Sequence, residues 1–217
     1  MFELRNVTKS YWTPRGRRYV FRNLSLEVPP NRNIGLIGRN GAGKSTLMRL
    51  LGGVDQPDVG RVVTDRSVSW PVGLSGGFQG SMSGRDNVKF VCRVYGAIRE
   101  EMRDKIQYVQ DFADLGKWFD EPVRSYSSGM RSRLAFGLSM AFDFDYYLID
   151  EIMSVGDAHF KRKSHAVFSE KLKKSNVILV SHSMEEIRRL CNLVLLVKDG
   201  AVEVFEDVNE GINAYQA

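Results

Sequence analysis

Hydrophobic and polar residues alternate over two stretches near the start of the chain. The first stretch lies within residues 2–7, and the second contains Leu24, Leu26 and Val28. A period of two residues is typical of a strand with one buried face. The run Ile34–Ile37 that follows is apolar throughout. Such a run is typical of a strand that is buried on both faces of a parallel sheet.

The second half of the chain is first helical and then alternates between strands and helices. Apolar residues recur at helical spacing over residues 84–140. Strands that alternate with helices predict an α/β fold with a mainly parallel sheet between helices. The N-terminal strands are expected to be antiparallel, and 84–140 to be a helical insertion. Apolar strand-like runs lie at 146–149, 177–180 and 193–197, with helical patterns between them at about 157–172 and 183–190.

A glycine-rich segment lies between the predicted strand 34–37 and a helical pattern. It reads Gly-x-x-x-x-Gly-Lys-Ser, in the strand-then-helix context that a phosphate-binding loop requires. Glycines let backbone N–H groups turn towards phosphate oxygens, and the helix start adds partial positive charge. We expect Lys44 to contact the β- and γ-phosphates and the Ser45 hydroxyl to bind magnesium. The predicted nucleotide-binding residues are Gly38, Arg39, Asn40, Gly41, Ala42, Gly43, Lys44, Ser45 and Thr46.

Two carboxylates follow directly after the apolar run 146–149. Asp150 and Glu151 would therefore lie at the carboxyl edge of a parallel sheet, where ligands bind in such folds. We expect Asp150 to hold magnesium, directly or through water. We expect Glu151 to polarise the attacking water as a general base. With Lys44 upstream, this pair predicts a catalytic nucleotide site.

Composition narrows the choice of partner and compartment. The 217 residues carry a net charge of +5, and no aromatic stacking motif is interleaved with the basic residues, so no nucleic-acid partner is expected. No run approaches the roughly 18 apolar residues that a membrane helix needs, and the N-terminus is too polar for a secretory signal. Cys92 and Cys191 lack metal-ligand spacing and are expected to be reduced thiols. We therefore expect a protein that is soluble by itself and reaches a membrane through a partner.

A short segment upstream of the acidic pair, residues 126–130, reads Tyr-Ser-Ser-Gly-Met. With the phosphate loop and the acidic pair, it makes the chain similar to the ABC transporter ATPases over nearly its full length. The family's signature usually reads Leu-Ser-Gly-Gly-Gln, so Ser127 and Gly129 match and the other three positions depart from it. Helix N–H groups after Ser127 would form an anion-binding end. By resemblance, the residues that face the γ-phosphate held by a second subunit are Ser127, Ser128, Gly129 and Met130.

The resemblance implies three further functional positions. His182 follows the run 177–180 and is similar to the switch histidine that contacts the γ-phosphate. Gln79, in Gly-Phe-Gln-Gly, is similar to the family's glutamine, which binds magnesium and water and reports to the membrane partner. Asp157, in Ser-Val-Gly-Asp, is similar to the loop that crosses the dimer interface and usually reads Ser-Ala-Leu-Asp.

The same resemblance implies ATP and magnesium as cofactors and an aromatic residue that stacks on adenine. Tyr11 resembles that residue. Trp12 and Tyr19 compete for the role, because the segment between Tyr11 and Lys44 is slightly long. The sequence leaves the choice among the three open.

The family's architecture has a mechanistic consequence. The phosphate loop and the signature of one subunit cannot meet, so one chain holds half of each of two sites. The resemblance therefore implies a homodimer that closes on two ATP molecules and is released by hydrolysis. It also implies a RecA-like P-loop NTPase core at about 1–83 and 142–217, with a helical subdomain at about 84–141.

Within the family, the chain most resembles the ATP-binding subunits of bacterial capsular-polysaccharide exporters. The segments Ser-Val-Ser-Trp-Pro at 67–71 and Gly-Phe-Gln-Gly-Ser at 77–81 carry this resemblance. It implies transmembrane permease partners, a periplasmic polysaccharide co-polymerase with an outer-membrane export complex, and a location at the cytoplasmic face of the inner membrane. An O-antigen or teichoic-acid exporter and a solute importer are the alternatives. The short helical insertion and the Ser-Ser-Gly segment argue against non-transport ABC proteins and other P-loop enzymes.

Overall fold

A computed structural model describes residues 1–72, 77–150 and 158–217 of the chain. Strands and helices alternate along most of this length. In chain order the strands are β1 (Phe2–Thr13), β2 (Gly16–Val28), β3 (Ile34–Ile37), β4 (Val59–Thr64), β5 (Val68–Pro71), β6 (Tyr146–Asp150), β7 (Asn176–Val180), β8 (Leu193–Lys198) and β9 (Ala201–Phe205). The helices are α1 (Lys44–Leu51), α2 (Gly84–Val94), α3 (Arg99–Ala113), α4 (Ser128–Met140), α5 (Ala158–Leu172), α6 (Met184–Leu190) and α7 (Val208–Gln216).

The strands form two sheets. The smaller sheet is antiparallel, in the order β2-β1-β4. The larger sheet has the order β5-β6-β7-β3-β8-β9, and its pairings are parallel except that of β8 with β9. The carboxyl ends of β6, β7 and β3 therefore lie side by side at one edge. The predicted α/β fold with a mainly parallel sheet and antiparallel N-terminal strands is confirmed.

Burial explains why the apolar runs lie at the centre of the larger sheet. All four residues of β3 are buried, and so are the first five of the six in β8. Burying one Leu or Ile side chain contributes about 1.5–3 kcal/mol, so a strand that is apolar on both faces gains most inside a layered core. Phe2 of the smaller sheet packs edge-to-face on Tyr146, with ring centroids 4.9 Å apart.

Side-chain caps begin most of the helices for which the structure describes the start. Ser83, Ser127, Ser183 and Asp207 each accept a hydrogen bond from a backbone N–H in the first turn of the following helix. A cap of this kind contributes about 1 kcal/mol and fixes the residue at which a helix begins. The start of α1 lacks such a cap, and the phosphate loop lies there.

The chain divides into two compact units. The first comprises the described residues within 1–71, 144–151 and 174–217, which include both sheets. The second comprises those within 72–143 and 152–173, which include α2 to α5. The predicted core and helical subdomain differ from these units mainly in the placement of α5, and their boundaries stay a prediction. Within the described ranges, no helix is both long enough and apolar enough to cross a bilayer.

Candidate functional site: the phosphate loop and the carboxyl edge of the sheet

The loop between β3 and α1 requires glycine for conformational and packing reasons. Gly38, Gly41 and Gly43 have φ angles of +149°, +80° and +114°, which L-residues with a Cβ rarely adopt. A Cβ at Gly38 would lie 2.3 Å from the carbonyl oxygen of Val197, and one at Gly43 would lie 2.6 Å from Cγ1 of Val20. The glycines of the motif therefore allow the loop to pass close to neighbouring strands.

The first turn of α1 is open to an anion. Gly43 is its N-cap, no side chain accepts a hydrogen bond from its first N–H groups, and its first turn contains no acidic residue. Unpaired N–H groups at a helix start, together with the helix dipole, favour negative charge. Thr46 is buried, whereas Ser45 is exposed. The Ser45 hydroxyl is therefore accessible beside this anion-binding end.

The side chain of Lys44 lies against the phosphate loop. It is only 8% exposed. Its ammonium group donates hydrogen bonds to the carbonyl oxygens of Gly38, at 2.8 Å, and Arg39, at 3.2 Å. These two bonds compensate the buried ammonium group for the hydrogen bonds to water that it has lost. They also hold its positive charge beside the loop. The positive charge of Lys44 therefore lies beside the loop that is predicted to bind phosphates.

The sheet places Asp150 and His182 at the same edge as the loop. β7 lies between β6 and β3, and Val180 of β7 is in register with Asp150 on one side and Leu36 on the other. His182 follows Val180 by two residues, and Gly38 follows Leu36 by two residues. An acid, an imidazole and the phosphate loop therefore emerge from three adjacent strands, where open parallel sheets bind ligands.

The turn that carries His182 is held by its neighbours. The hydroxyl of Ser181 donates to Glu186 at 2.7 Å and accepts from the backbone N–H of Ser183 at 3.0 Å. Ser183 in turn caps α6 by accepting from the N–H of Glu186 at 3.2 Å. Ser181 is buried and His182 is exposed. The serines fix the backbone, which leaves the imidazole at the surface of the sheet edge.

The three aromatic candidates for adenine have different surroundings in the structure. A cavity of about 660 Å³ lies beside the phosphate loop, and Tyr19 lines it together with the β8–β9 turn and the last turn of α7. The hydroxyl of Tyr11 instead donates to Asp55 at 2.7 Å and accepts from Arg49 at 3.1 Å. Trp12 is 81% exposed. Neither Tyr11 nor Trp12 is among the residues that line this cavity, so Tyr11 stays a prediction and Tyr19 becomes a structural candidate.

The signature segment begins α4 in the second unit. Ser127 is the N-cap, and its hydroxyl accepts from the N–H of Met130 at 3.2 Å. Ser127 and Ser128 are exposed, and Gly129 and Met130 are partly exposed. No acidic residue lies in the first turn of α4. The predicted segment is therefore at the surface of its unit, with a helix start that suits an anion.

Tyr126, which stands where the family usually has leucine, is explained by packing. It is 3% exposed, so the ring fills a buried position as leucine would. Its hydroxyl donates to the carbonyl oxygen of Trp118 at 2.5 Å, and Arg131 donates to the carbonyl oxygen of Tyr126 at 2.7 Å. Because the buried hydroxyl has a partner, the departure from the family pattern leaves no polar group unpaired.

Gln79 lies in the loop before α2, with an exposed side chain. Its backbone is held by Asn87, a residue that the sequence reasoning did not single out. Asn87 is 3% exposed and lies on the same buried side of α2 as Val88. A polar amide among the apolar positions of an amphipathic helix is the sequence signal that would have identified it, because a buried amide needs partners.

Two predicted residues, Glu151 and Asp157, lie outside the described residues, so their predicted roles stay predictions. Among the residues that the structure describes, no group of three or more His, Cys, Asp or Glu side chains is arranged to hold a metal ion. Cys92 and Cys191 are buried and form no disulfide. Burial raises the pKa of the Cys92 thiol and raises the pKa of Cys191 to about 12, so both thiols stay protonated near neutral pH.

Sequence comparison identifies the class of protein that this fold and loop define. The profile of the ABC transporter family matches residues 21–154. The chain belongs to the ABC transporter family, which confirms the resemblance drawn from the motifs. Its fold is that of the family's ATPase cassettes. The dimeric ADP- and phosphate-bound structure of the ATP-binding cassette MJ0796 has a TM-score of 0.72 at 22% identity, covering 94% of this chain and 97% of that one.

The relatives narrow the class further. The chain is 52% identical to a polysialic acid transport ATP-binding protein KpsT of Escherichia coli, over 100% of this chain and 96% of the relative. A second protein of that name from Escherichia coli is 54% identical, with 100% and 99% covered. The capsule polysaccharide export ATP-binding protein CtrD of Neisseria meningitidis serogroup B is 41% identical, also with 100% and 99% covered.

Proposed function

We propose that this chain is the ATP-binding and ATP-hydrolysing subunit of an ABC exporter that drives capsular polysaccharide across the inner membrane. The observation that carries the proposal is 52–54% identity over the whole chain to two polysialic acid transport ATP-binding proteins. Relatives named for teichoic acid and O-antigen export are 36% and 37% identical, and the match covers only 36% and 47% of their length. The full-length match therefore favours capsule export over these alternatives.

The phosphate loop is the proposed ATP site. Its N–H groups and the start of α1 would bind the phosphates, and Lys44 would exchange its two carbonyl partners for phosphate oxygens. That exchange keeps the buried ammonium group hydrogen-bonded. Tyr11, or Tyr19 beside the cavity, would contact the base.

Magnesium fits the residues present at this edge. It prefers hard oxygen ligands, and the exposed Ser45 hydroxyl and the Asp150 carboxylate both belong to the unit that contains the phosphate loop. Gln79 is the further proposed ligand. When bound, the ion would neutralise charge on the phosphates. In the hydrolytic step, Glu151 would take a proton from the attacking water, and His182 would donate a hydrogen bond to the γ-phosphate.

The chain is proposed to act as a homodimer in which the signature of one subunit completes the phosphate loop of the other. The support is the surface position of Ser127 and Ser128 at a helix start that suits an anion. Asp157 would lie at the dimer interface. The MJ0796 cassette, whose fold this chain shares, was solved as a dimer.

A mixing experiment is expected to demonstrate shared sites. Lys44→Ala removes the phosphate contact of one chain, and Ser127→Arg blocks the signature of the other, so each variant alone should be inactive. Their mixed dimer contains one intact composite site, so mixing should restore measurable ATP hydrolysis. The rate of hydrolysis is measured against mixing ratio and total protein concentration. If mixing restores nothing while each variant dimerises, or if wild-type activity per chain is constant down to the monomer, the shared-site proposal is wrong.

The proposed partners are transmembrane permease subunits of the exporter, with a periplasmic co-polymerase and outer-membrane export complex beyond them. The chain would bind the permease at the cytoplasmic face of the inner membrane. The names of the relatives, which refer to transport and export, support a membrane partner. Co-purification with the permease is the direct measurement.

Deleting the gene in its host is expected to leave polymer inside the cell. Without ATP-driven export the polymer should accumulate in the cytoplasm, and surface capsule should be lost. Immunostaining of intact and permeabilised cells measures the two pools. Complementation with wild-type protein should restore the surface pool, and complementation with Glu151→Gln should not. Unchanged surface capsule in the deletion strain would contradict the proposed function.

A further inference from the structure

Asn87 clamps the backbone of Gln79. Its side-chain oxygen accepts from the N–H of Gln79 at 2.8 Å. Its side-chain nitrogen donates to the carbonyl oxygens of Gln79, at 3.1 Å, and Ser83, at 2.9 Å. The amide thus binds both backbone polar groups of Gln79 and also closes the loop at Ser83.

Asparagine suits this position for a chemical reason. An amide offers an acceptor and two donors, whereas a carboxylate offers acceptors alone and an apolar side chain offers neither. Asparagine is also a weaker helix former than most residues, so helix propensity does not explain its presence in α2. Because Asn87 is 3% exposed, its side-chain amide is buried, and leaving the polar groups of that amide unpaired would be costly.

The loop is held from its other side as well. The N–H of Val123 donates to the carbonyl oxygen of Met82 at 2.9 Å, and the N–H of Arg124 donates to that of Gly80 at 2.9 Å. The segment that provides these donors ends three residues before Ser127. The loop 79–83 and the approach to the signature are therefore joined by backbone hydrogen bonds within one unit.

We propose that Asn87 is the positioning residue of Gln79. Asn87 fixes the backbone and so holds the exposed side chain of Gln79 in one place. The hydrogen bonds from Val123 and Arg124 transmit a displacement of this loop to the segment before Ser127. The inference rests on the proposed function, because Gln79 is assigned to the ATP site by that proposal. Asn87 contacts no nucleotide in this scheme and acts only through Gln79.

The test is a double-mutant cycle on the full chain. Asn87→Ala is expected to lower kcat about fivefold or more and to leave KM for ATP within about twofold, since the phosphate loop is untouched. In a Gln79→Ala background the same substitution should have almost no further effect, because the side chain that it positions is gone. A purely structural role for Asn87 would instead reduce activity by the same factor in both backgrounds.

Hydrogen exchange gives a second, independent measurement. The Gln79 amide is expected to exchange slowly in the wild type and at least about tenfold faster in the Asn87 variants, because its acceptor is lost. Asn87→Ser, which keeps a smaller polar group, serves if Asn87→Ala does not fold. Arg85→Ala is the matched control. It removes the α2 ion pair with Asp120, at 2.6 Å, without touching the loop, and should leave the exchange of Gln79 unchanged.

The possible results distinguish failure of the ATPase function from failure of the positioning role of Asn87. An inactive wild type would contradict the ATPase function itself. An active wild type in which the effects of Gln79→Ala and Asn87→Ala multiply, or in which the Gln79 amide exchanges equally fast in every variant, would overturn the positioning role and leave the ATPase function intact.

Discussion

Replacing Glu151 with glutamine is expected to reduce ATP turnover by about 100- to 1000-fold while ATP still binds. Glutamine keeps the size of the side chain but cannot accept a proton from water, and a positioned general base typically contributes a factor of about 10²–10⁴. The phosphate loop is unchanged, and one negative charge beside the triphosphate is removed, so affinity for ATP should be equal or higher. The closed dimer should therefore accumulate. Turnover, ATP affinity and dimer fraction are measured on the same preparation.

The matched control for this substitution is Glu101→Gln. Glu101 is exposed in the first turn of α3, so the same chemical change is made away from the proposed site. It should leave turnover near the wild-type value. Near-normal turnover in Glu151→Gln would remove Glu151 from the role of base. Loss of ATP binding together with turnover would indicate a structural role instead.

Replacing Gly38 with alanine is expected to destabilise the first unit by about 2–6 kcal/mol, since a strained backbone costs about 1–3 kcal/mol and overpacking about as much again. The φ angle of Gly38 is +149°, and a Cβ there would lie 2.3 Å from the carbonyl oxygen of Val197. The oxygen belongs to the backbone and the backbone fixes the position of a Cβ, so neither atom can move away by changing rotamer. The free energy of unfolding is measured by urea denaturation, and ATP binding should be lost with it.

Gly53→Ala is the control that measures the effect of backbone strain on stability without a steric clash. Gly53 also has a positive φ, +65°, but a Cβ there would meet no atom within 4 Å. It should therefore cost only about 1–2 kcal/mol, the penalty for a left-handed L-residue. An equal loss of stability in both variants would mean that the contact with Val197 does not decide the requirement for glycine at position 38.

Local pattern was sufficient to predict the elements that build the larger sheet. The runs that became β3, β6, β7 and β8 are apolar on both faces, and a strand of this kind is stable only inside a layered core. The predicted edges of these strands agree with the structure to within one residue. Among the strands and α-helices of the described residues, four were not predicted, namely β4, β5, β9 and α7.

The missed elements are short or exposed, so their own residues carry a weak signal. Most residues of β4 and β9 are not buried, and their stability comes from pairing with β1 and β8. β5 has only four residues and is held by β6. Pairing across long sequence separation does not change the local pattern of hydrophobic residues, so a window of sequence cannot reveal it.

The sequence by itself determined the glycine pattern of the phosphate loop and its place between a strand and a helix. Its glycines, Lys44 and Ser45 lie within one short segment of the chain, and their proposed function depends on a local strand–loop–helix geometry that the motif encodes. The same holds for Ser127, whose side chain caps its own helix. These features are local, so their residue types and spacing suffice to predict them.

Only the tertiary structure decided which residues that are distant in sequence lie close together. It placed Asp150 at the end of β6 and His182 just after β7, at the same edge as the end of β3. It placed Tyr19, and neither Tyr11 nor Trp12, in the lining of the cavity beside the phosphate loop. It also brought Asn87 to the backbone of Gln79. Each of these relations depends on strand order, register or the packing of a helix against a loop. Such contacts are set by how the whole chain buries its apolar surface, so no single segment of the sequence contains them.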